Sequence, residues 1–343
     1  MEKRNIILMD SDEFEGEEFK LAIERVTGNG WDIIVKHCNV PQNKLENLVR
    51  YLKYIFVPFG ICIRRKKYKN IIAWQQFFGI FYAFWCELFH VKKCNNVYVM
   101  MLIYNEKKGW IGKVYRWLYH KALHSSYIEF FTCGAEKERG EYIKLFGLPD
   151  DRIMYVPWGI TDYSKFYEIV PSNEKYILSA GRSNRDWDFI VSSLKNTDYS
   201  VKIVNSETIR DLPGNFEQFT NITRNNYFEL LAKAYCVVIA VDNPVISSGQ
   251  LALIEALQFG KPVIATKSEG LTRNYIENNN NGIVIEKDRW ELLRALELIY
   301  TQDQKYNLIR SKGRQYYEDK LSNSRMGIDI ANIILQRYGD WNG

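Results

Sequence analysis

Two short segments carry residue types at a spacing that suits a phosphorylated, anionic ligand. The first runs from Val245 to Gly260 as VISSGQLALIEALQFG. A strand is expected to end at Val241, a small polar loop Ser247-Ser248-Gly249-Gln250 follows, and an apolar helix starts near Leu251. That order presents unbonded backbone N–H groups and the positive end of a helix dipole, which suits a diphosphate. Gly249 lets the backbone approach a ligand closely, and the serines can cap or donate. Glu255 lies one turn inside the helix, where a carboxylate can accept hydrogen bonds from a ribose diol. The same order also serves an ordinary N-capped helix with a solvent-facing Glu. The second segment, Ser179 to Asp188, reads SAGRSNRDWD. Arg182 and Arg185 follow Gly181 there, and two guanidinium forks can clamp phosphate oxygens and stabilise a departing diphosphate without a metal. The alternative makes Arg185 and Asp186 a helix-start pair with Asp186 as the cap.

These segments need strands to aim them, and the chain supplies short apolar runs alternating with amphipathic stretches. In the first half the expected strands are Asn5–Met9, Asp32–Lys36, Asn70–Ala73, Val97–Ile103 and Tyr127–Thr132. Helical patterns lie near Glu15–Thr27, Lys44–Ile55, Phe77–His90, Lys113–Leu123 and Ala135–Phe146. After a turn-rich stretch, a second series of strands runs Lys175–Ala180, Val201–Val204, Cys236–Val241, Pro262–Ala265 and Gly282–Ile285. Its helices are expected at Asp186–Lys195, Tyr227–Lys233, Leu251–Phe259, Asp288–Tyr300 and Gln304–Lys320, with a last one near Asn323–Arg337. Alternation of this kind predicts an α/β chain of two doubly wound, parallel-sheet (Rossmann-like) domains. The expected boundaries are 1–160, with a C-terminal helix at about 322–343 packing back on it, and 161–321. Ligands are then expected at the carboxyl ends of the strands, in a cleft between the domains.

The run from Ser247 to Ile285 resembles the donor-binding region of family-4 glycosyltransferases of the GT-B fold. It carries Glu255, Gly260-Lys261-Pro262-Val263-Ile264, Gly270 and Asn281-Gly282 in the family's order. The likeness covers about the last half of the chain well and the first half loosely. It implies a nucleotide-sugar donor, with Gly181, Arg182, Arg185, Ser247, Ser248, Gly249, Gln250, Leu251 and Glu255 binding it. It also implies transfer with retention of anomeric configuration. Two departures stand out. The family commonly places a sugar-contacting Glu eight positions before the ribose Glu, where this chain has Ser247. It also places a Lys five residues after the Arg that follows the glycine, where this chain has Trp187.

The first half is expected to face the acceptor, a glycan or lipid-linked glycan. Asp10, Trp74, Gln75, Gln76 and Asn105 lie in the loops that would line its strand ends. Trp74, Gln75 and Gln76 read equally as the polar start of a buried helix. None of the four histidines falls at a strand end, so no histidine base is expected. Two acidic patterns, Asp10-Ser-Asp12 and Asp186-Trp-Asp188, could place a divalent metal, but they read better as helix starts. No metal and no cofactor is expected. Basic and aromatic residues interleave at Ile63–Tyr68 and again from Lys107 to Lys121, the latter resembling an amphipathic helix on an anionic membrane. A solvated basic face over core aromatics is the alternative. No nucleic-acid-binding signature accompanies these stretches, and a net charge of +5 is too small to argue for nucleic acid.

Six cysteines without a CxxC pair, and a start lacking a charged-then-apolar segment, suggest a cytoplasmic setting, with peripheral contact at the inner face of the plasma membrane. Ile71–Phe89 is interrupted by Gln75, Gln76 and Glu87 and reads as a buried helix rather than a span. The expected activity is sugar transfer in cell-surface polysaccharide synthesis. The alternative is a non-catalytic GT-B subunit that binds and stabilises a partner transferase, and a sugar epimerase of the same fold is a further rival.

Overall fold

A computed structural model describes residues 3–38, 43–245 and 248–338. The chain forms two compact units, Met1–Thr161 with Lys320–Gly343, and Asp162–Asp319. The first contains β1 (Arg4–Met9), α1 (Glu13–Thr27), β2 (Trp31–Val35), α2 (Lys44–Ile63), β3 (Tyr68–Ala73) and α3 (Gln76–Leu88). It continues with β4 (Asn96–Val99), α4 (Gly109–His124), β5 (Phe130–Cys133), α5 (Glu136–Phe146) and β6 (Ile153–Tyr155). All strand pairs are parallel, in the order β2-β1-β3-β4-β5-β6. Alternate residues of β1 point to opposite faces. Ile6 and Leu8 join the core that includes residues of α2–α5, and Ile7 and Met9 join a second core with Phe19 and Ile23 of α1.

The second unit runs β7 (Ile177–Ala180), α6 (Trp187–Leu194), β8 (Val201–Asn205), β9 (Phe216–Thr220), α7 (Arg224–Lys233) and β10 (Cys236–Ile239). Then follow α8 (Gln250–Gln258), β11 (Val263–Thr266), α9 (Thr272–Tyr275), β12 (Ile283–Ile285), α10 (Arg289–Thr301) and α11 (Asp303–Tyr316). Its sheet is again parallel, ordered β12-β11-β10-β7-β8-β9. Strand order therefore reverses at β7 and β10, and the loops leaving those two strands diverge to open a crevice. The chain then returns to the first unit in α12 (Asn323–Tyr338), whose Met326, Ile330 and Ile334 share a core with Phe19 and Ile23.

Several elements differ from the sequence-based expectation for physical reasons. Ile71–Phe89 is not one buried helix: it contains the end of β3 and all of α3, divided at the polar Trp74-Gln75 turn. Helix α2 does not stop near Ile55 but continues through Pro58, whose ring is tolerated at the loss of one backbone donor. The strand expected to reach Ile103 ends at Val99, because Met101 adopts a φ of +52° and turns the chain out of the sheet. Edge strands β6 and β9 were not expected. The first has three residues, and the second alternates polar and half-exposed positions, so neither shows an apolar run.

The start of the second unit is tied to its last helix by a buried ion pair. Arg314 donates to both carboxylate oxygens of Asp162, at 2.5 and 3.2 Å, and to Ser164 Oγ at 2.9 Å, as well as to the Gln258 carbonyl. Burial alone would raise the Asp162 carboxyl, yet the Arg314 and Ser164 hydrogen bonds hold it below its ordinary value. Its contribution to stability is therefore present at neutral pH and is lost as acid protonates it. Replacing Arg314 by Ala takes two charged hydrogen bonds from that buried carboxylate and leaves it the Ser164 hydrogen bonds and Lys165 at 4.0 Å. It is expected to lower stability by about 3 kcal/mol, measured as the urea midpoint at pH 7, with the deficit narrowing toward pH 3.

Candidate functional site

A crevice of about 970 Å³ in the second unit lies at the carboxyl edge of its sheet, where strand order reverses. Its walls come from four chain segments. The loop after β7 supplies Gly181, Arg182 and Arg185, and the start of α8 supplies Ser248, Gly249, Gln250 and Leu251. The ends of β8 and β9 supply Asn205, Asn221 and Thr223. Arg224 and Tyr227 of α7 and Glu255 of α8 complete it.

Sequence dictates the first two walls closely. Gly249 precedes α8 with a φ of +96°, a conformation that a side chain disfavours. Helix geometry leaves the Leu251 and Ala252 amides without an i−4 carbonyl, and both residues line the crevice. Gly181 is needed for space. A Cβ there would sit 2.4 Å from Arg185 Nε, because the Arg185 side chain folds back over the glycine. Its Nε donates to the Ala180 carbonyl at 3.0 Å. Its Nη1 donates to the Ser183 carbonyl at 3.0 Å and to Ser248 Oγ at 3.3 Å. Ser248 in turn donates to the Ser183 carbonyl at 3.2 Å. One guanidinium thus joins the β7 loop to the α8 loop. Arg182 is exposed at the crevice and makes no hydrogen bond or ion pair among the described residues. Ser247 lies outside the described residues.

Glu255 is buried rather than solvent-facing. Burial pushes its carboxyl up to about 7, against the opposing effects of Arg224 and of a hydrogen bond from Tyr227. Arg224 Nη2 lies 3.3 Å from Glu255 Oε1, and the guanidinium sits over the rings of Tyr163 and Phe228 at 4.7 and 5.0 Å. Arg224, Tyr227, Asn205, Asn221 and Thr223 were missed in the sequence. With β9 unseen, the helix start at Thr223 could not be placed at the sheet's carboxyl edge. Thr223 caps α7, accepting from the Asn226 amide at 3.3 Å.

The acidic patterns resolve separately. Asp186 caps α6 through the Phe189 amide at 2.8 Å and pairs with Lys287 at 2.7 Å. Asp12 precedes α1 but makes no side-chain cap; its carboxylate lies 3.6 Å from His37. Among the described residues, no group of three His, Cys, Asp or Glu side chains is placed to hold a metal ion.

In the first unit, strand order reverses at β1 and β3, and the residues leaving those strands are Asp10 and Trp74-Gln75. Asp10 Oδ2 accepts from Tyr54 at 3.4 Å and from Gln75 Nε2 at 3.5 Å. Burial raises the Asp10 carboxyl and pushes the Tyr54 hydroxyl up to about 12. The neighbouring Ser11 Oγ is buried without a hydrogen-bond partner among the described residues. Gln76 stands apart, clamping Ile103 through its amide and carbonyl at 2.9 and 3.1 Å. Trp74 packs edge-on against Phe19 at 5.1 Å, and Asn105 is exposed in the loop before α4. The structure therefore brings Asp10 and Gln75 together and assigns Gln76 and Trp74 packing contacts.

Because the Glu255 carboxyl is raised from 4.5 to about 7 in the folded chain, its contribution to stability is full below pH 4.5. That contribution falls as pH rises to 7, by on the order of 3 kcal/mol at most. Glu255→Gln removes the ionisation. The unliganded variant is expected to gain stability over the wild type at pH 8 and little at pH 5. Melting curves at the two pH values check this, and an equal difference at both would refute it.

Residues 198–316 match the family model described as glycosyl transferases group 1. No curated protein matches the sequence significantly. Solved structures resemble the whole chain at low identity. A glycosyltransferase from Rickettsia africae ESF-5 superposes with a TM-score of 0.63 at 14% identity, covering 98% of this chain and 99% of that one. Anabaena Alr3699/HepE in complex with UDP-glucose gives 0.61 at 13% identity, covering 98% and 100%. Sucrose-phosphate synthase from Thermosynechococcus elongatus gives 0.60 at 11% identity, covering 98% and 99%. The second unit thus contains the stretch that matches the group 1 glycosyl transferase model, in a chain that has the GT-B fold.

Proposed function

We propose that the protein transfers a glycosyl unit from a nucleotide-sugar to a glycan or lipid-linked glycan in cell-surface polysaccharide synthesis. The observation that carries this reading is the crevice at the β7–β10 switch point. Two arginines and a helix start line one wall, and a buried carboxylate stands on α8. Arg182, Arg185 and the amides at the start of α8 hold the diphosphate, and Glu255 accepts from the ribose hydroxyls. Ser248 and Gln250, which line the crevice, are assigned to the donor, and the resemblance to family 4 assigns Ser247 to it as well. The Anabaena relative, solved with UDP-glucose, supports a nucleotide-sugar as the donor.

In the transfer, the bond from the anomeric carbon to the diphosphate breaks with its electron pair leaving on the phosphate, the acceptor hydroxyl oxygen bonds that carbon, and the hydroxyl proton passes to the departing diphosphate. Charge on the departing nucleoside diphosphate is then met by guanidinium groups, so the reading needs no metal. The resemblance to family 4 favours retention of configuration. Asp10 and Gln75, at the equivalent switch point of the first unit, are the residues we assign first to the acceptor, with Trp74, Gln76 and Asn105 as the other candidates. The basic face of α4 makes peripheral contact with an anionic membrane on the cytoplasmic side. No described helix is long and apolar enough to cross a membrane.

A thermal-shift panel of nucleotide-sugars and free nucleoside diphosphates tests the reading, and silence from every compound would sink it. Binding without turnover on any acceptor would favour the non-catalytic subunit instead. Arg182→Ala is expected to leave the unliganded melting temperature unchanged and to weaken nucleoside diphosphate binding about ten-fold, since hydrogen bonds to charged groups are worth roughly 1.5–3 kcal/mol. Arg185→Ala is expected to weaken binding at least as much and also to lower the melting temperature, because it removes three hydrogen bonds, one of which ties the two loops.

A further inference from the structure

Charge is distributed unevenly along the chain. Between residues 44 and 128 there are 15 lysines and arginines against 3 acidic residues, while the whole chain carries a net charge of only +5. The same stretch contains an uncommon solvent-facing surface on α2. Leu45, Leu48, Leu52, Phe56 and Ile63 recur at helical spacing along one side, and all are exposed, Leu45 by 71% and Ile63 by 63%. The inner side of the helix is buried through Tyr54, Pro58, Ile61 and Cys62. Helix α2 is therefore apolar on the face that meets water as well as on the face that meets the core.

That outward row continues onto neighbouring helices. Phe56 and Phe59 contact the Trp85 ring at 6.5 and 5.0 Å, and Trp85 stacks on Phe89 at 5.9 Å, with Leu88 and Phe89 each 53% exposed. Between α3 and α4 a crevice of about 260 Å³ is lined by Phe84, Leu88, Trp117 and Lys121. On α4 itself Trp110, Val114 and Trp117 form an exposed row between Lys113, Arg116 and Lys121. No acidic residue lies on that helix.

We infer that the outward faces of α2, α3 and α4 together form one docking surface for an anionic lipid bilayer, with the α2 row and the Trp85–Phe89 pair as its apolar insert. Charge complementarity selects the occupant. An apolar row alone would suit a second protein, but cations outnumber carboxylates five to one in this stretch, even with Arg116 and Lys121 facing Glu106 and Glu87 at 3.8 and 4.0 Å, and that excess matches anionic headgroups. Aromatic side chains with exposed edges suit the headgroup boundary, and lysine and arginine stems can lie along apolar surface while their charges reach phosphate. The inference rests on the membrane contact proposed above for α4 and extends it to α2 and α3.

The test is flotation of the full chain with vesicles of phosphatidylcholine alone or with 30% phosphatidylglycerol (on the order of natural anionic content), at low and high salt. Wild type is expected to float with the anionic vesicles and to lose part of that binding in salt. Leu48→Glu/Phe56→Glu, on α2, is expected to reduce the bound fraction at least ten-fold while nucleoside diphosphate binding stays unchanged. Lys113→Glu/Arg116→Glu tests α4 separately. If the α4 variant loses binding and the α2 variant floats like wild type, the membrane contact stands and the extension to α2 falls. If wild type never floats, both fall. Sedimentation without lipid reads the other occupant: a dimer abolished by the α2 substitutions, with flotation intact, would assign the row to a second copy of this chain.

Discussion

The crevice of the second unit is organised around one side chain that folds back on its own loop. Arg185 lies over Gly181, bonds the carbonyl that ends β7, and reaches Ser248 before α8. That tie adds to the reciprocal Asn184–Asn243 hydrogen bonds at 3.0 and 2.8 Å and the Ser248–Ser183 bond, which also join the loops after β7 and β10. Burial holds the guanidinium below its ordinary value, so much of its desolvation is met during folding rather than on ligand binding. Its Nη2 makes no hydrogen bond among the described residues, while Nε and Nη1 are committed to the protein. The cation is thus oriented by three bonds and open on one edge, an arrangement that limits reorganisation when charge develops on a bound phosphate.

Glu255 sets the opposite constraint. A buried carboxylate is unfavourable near neutral pH, and here only Arg224 and the Tyr227 hydroxyl offset it. Arg224 is itself held over Tyr163 and Phe228, so its position does not depend on the ion pair alone. A ribose diol would add two neutral donors to this carboxylate and improve its solvation without adding charge. The site therefore keeps a group that opposes stability when empty and is better satisfied when filled, as expected where function rather than packing fixes a residue.

Most of the fold was legible because each sheet is parallel and covered on both faces, so its central strands read as unbroken apolar runs such as Val237–Ile239 and Ile71–Ala73. Edge strands β6 and β9 lacked that signal, and missing β9 hid the whole α7 wall of the crevice. The loop chemistry around Gly181, Arg182, Gly249 and Glu255 could be read because glycine and helix-start rules are local. The contacts of Arg224 and Tyr227 could not, since they join β9–α7 to α8 across about 30 residues of sequence and depend on strand order. The course of Arg185 was likewise hidden: the sequence showed a cation near the expected place, but not that its side chain runs backward.

The two units share a device and use it differently. In each, strand order reverses beside its first strand, and polar side chains collect where the loops diverge. In the second unit the collected groups are charged and tightly bonded, as a ligand of fixed chemistry such as a diphosphate requires. In the first, the Asp10 carboxylate accepts from a neutral hydroxyl and an amide at 3.4 and 3.5 Å, and beside it Ser11 Oγ has no hydrogen-bond partner among the described residues. Such long, neutral hydrogen bonds are readily exchanged for those of another hydroxyl-bearing group. If sugar hydroxyls bind there, discrimination among acceptors has to come from shape and exchangeable hydrogen bonds, while the donor is held by charge.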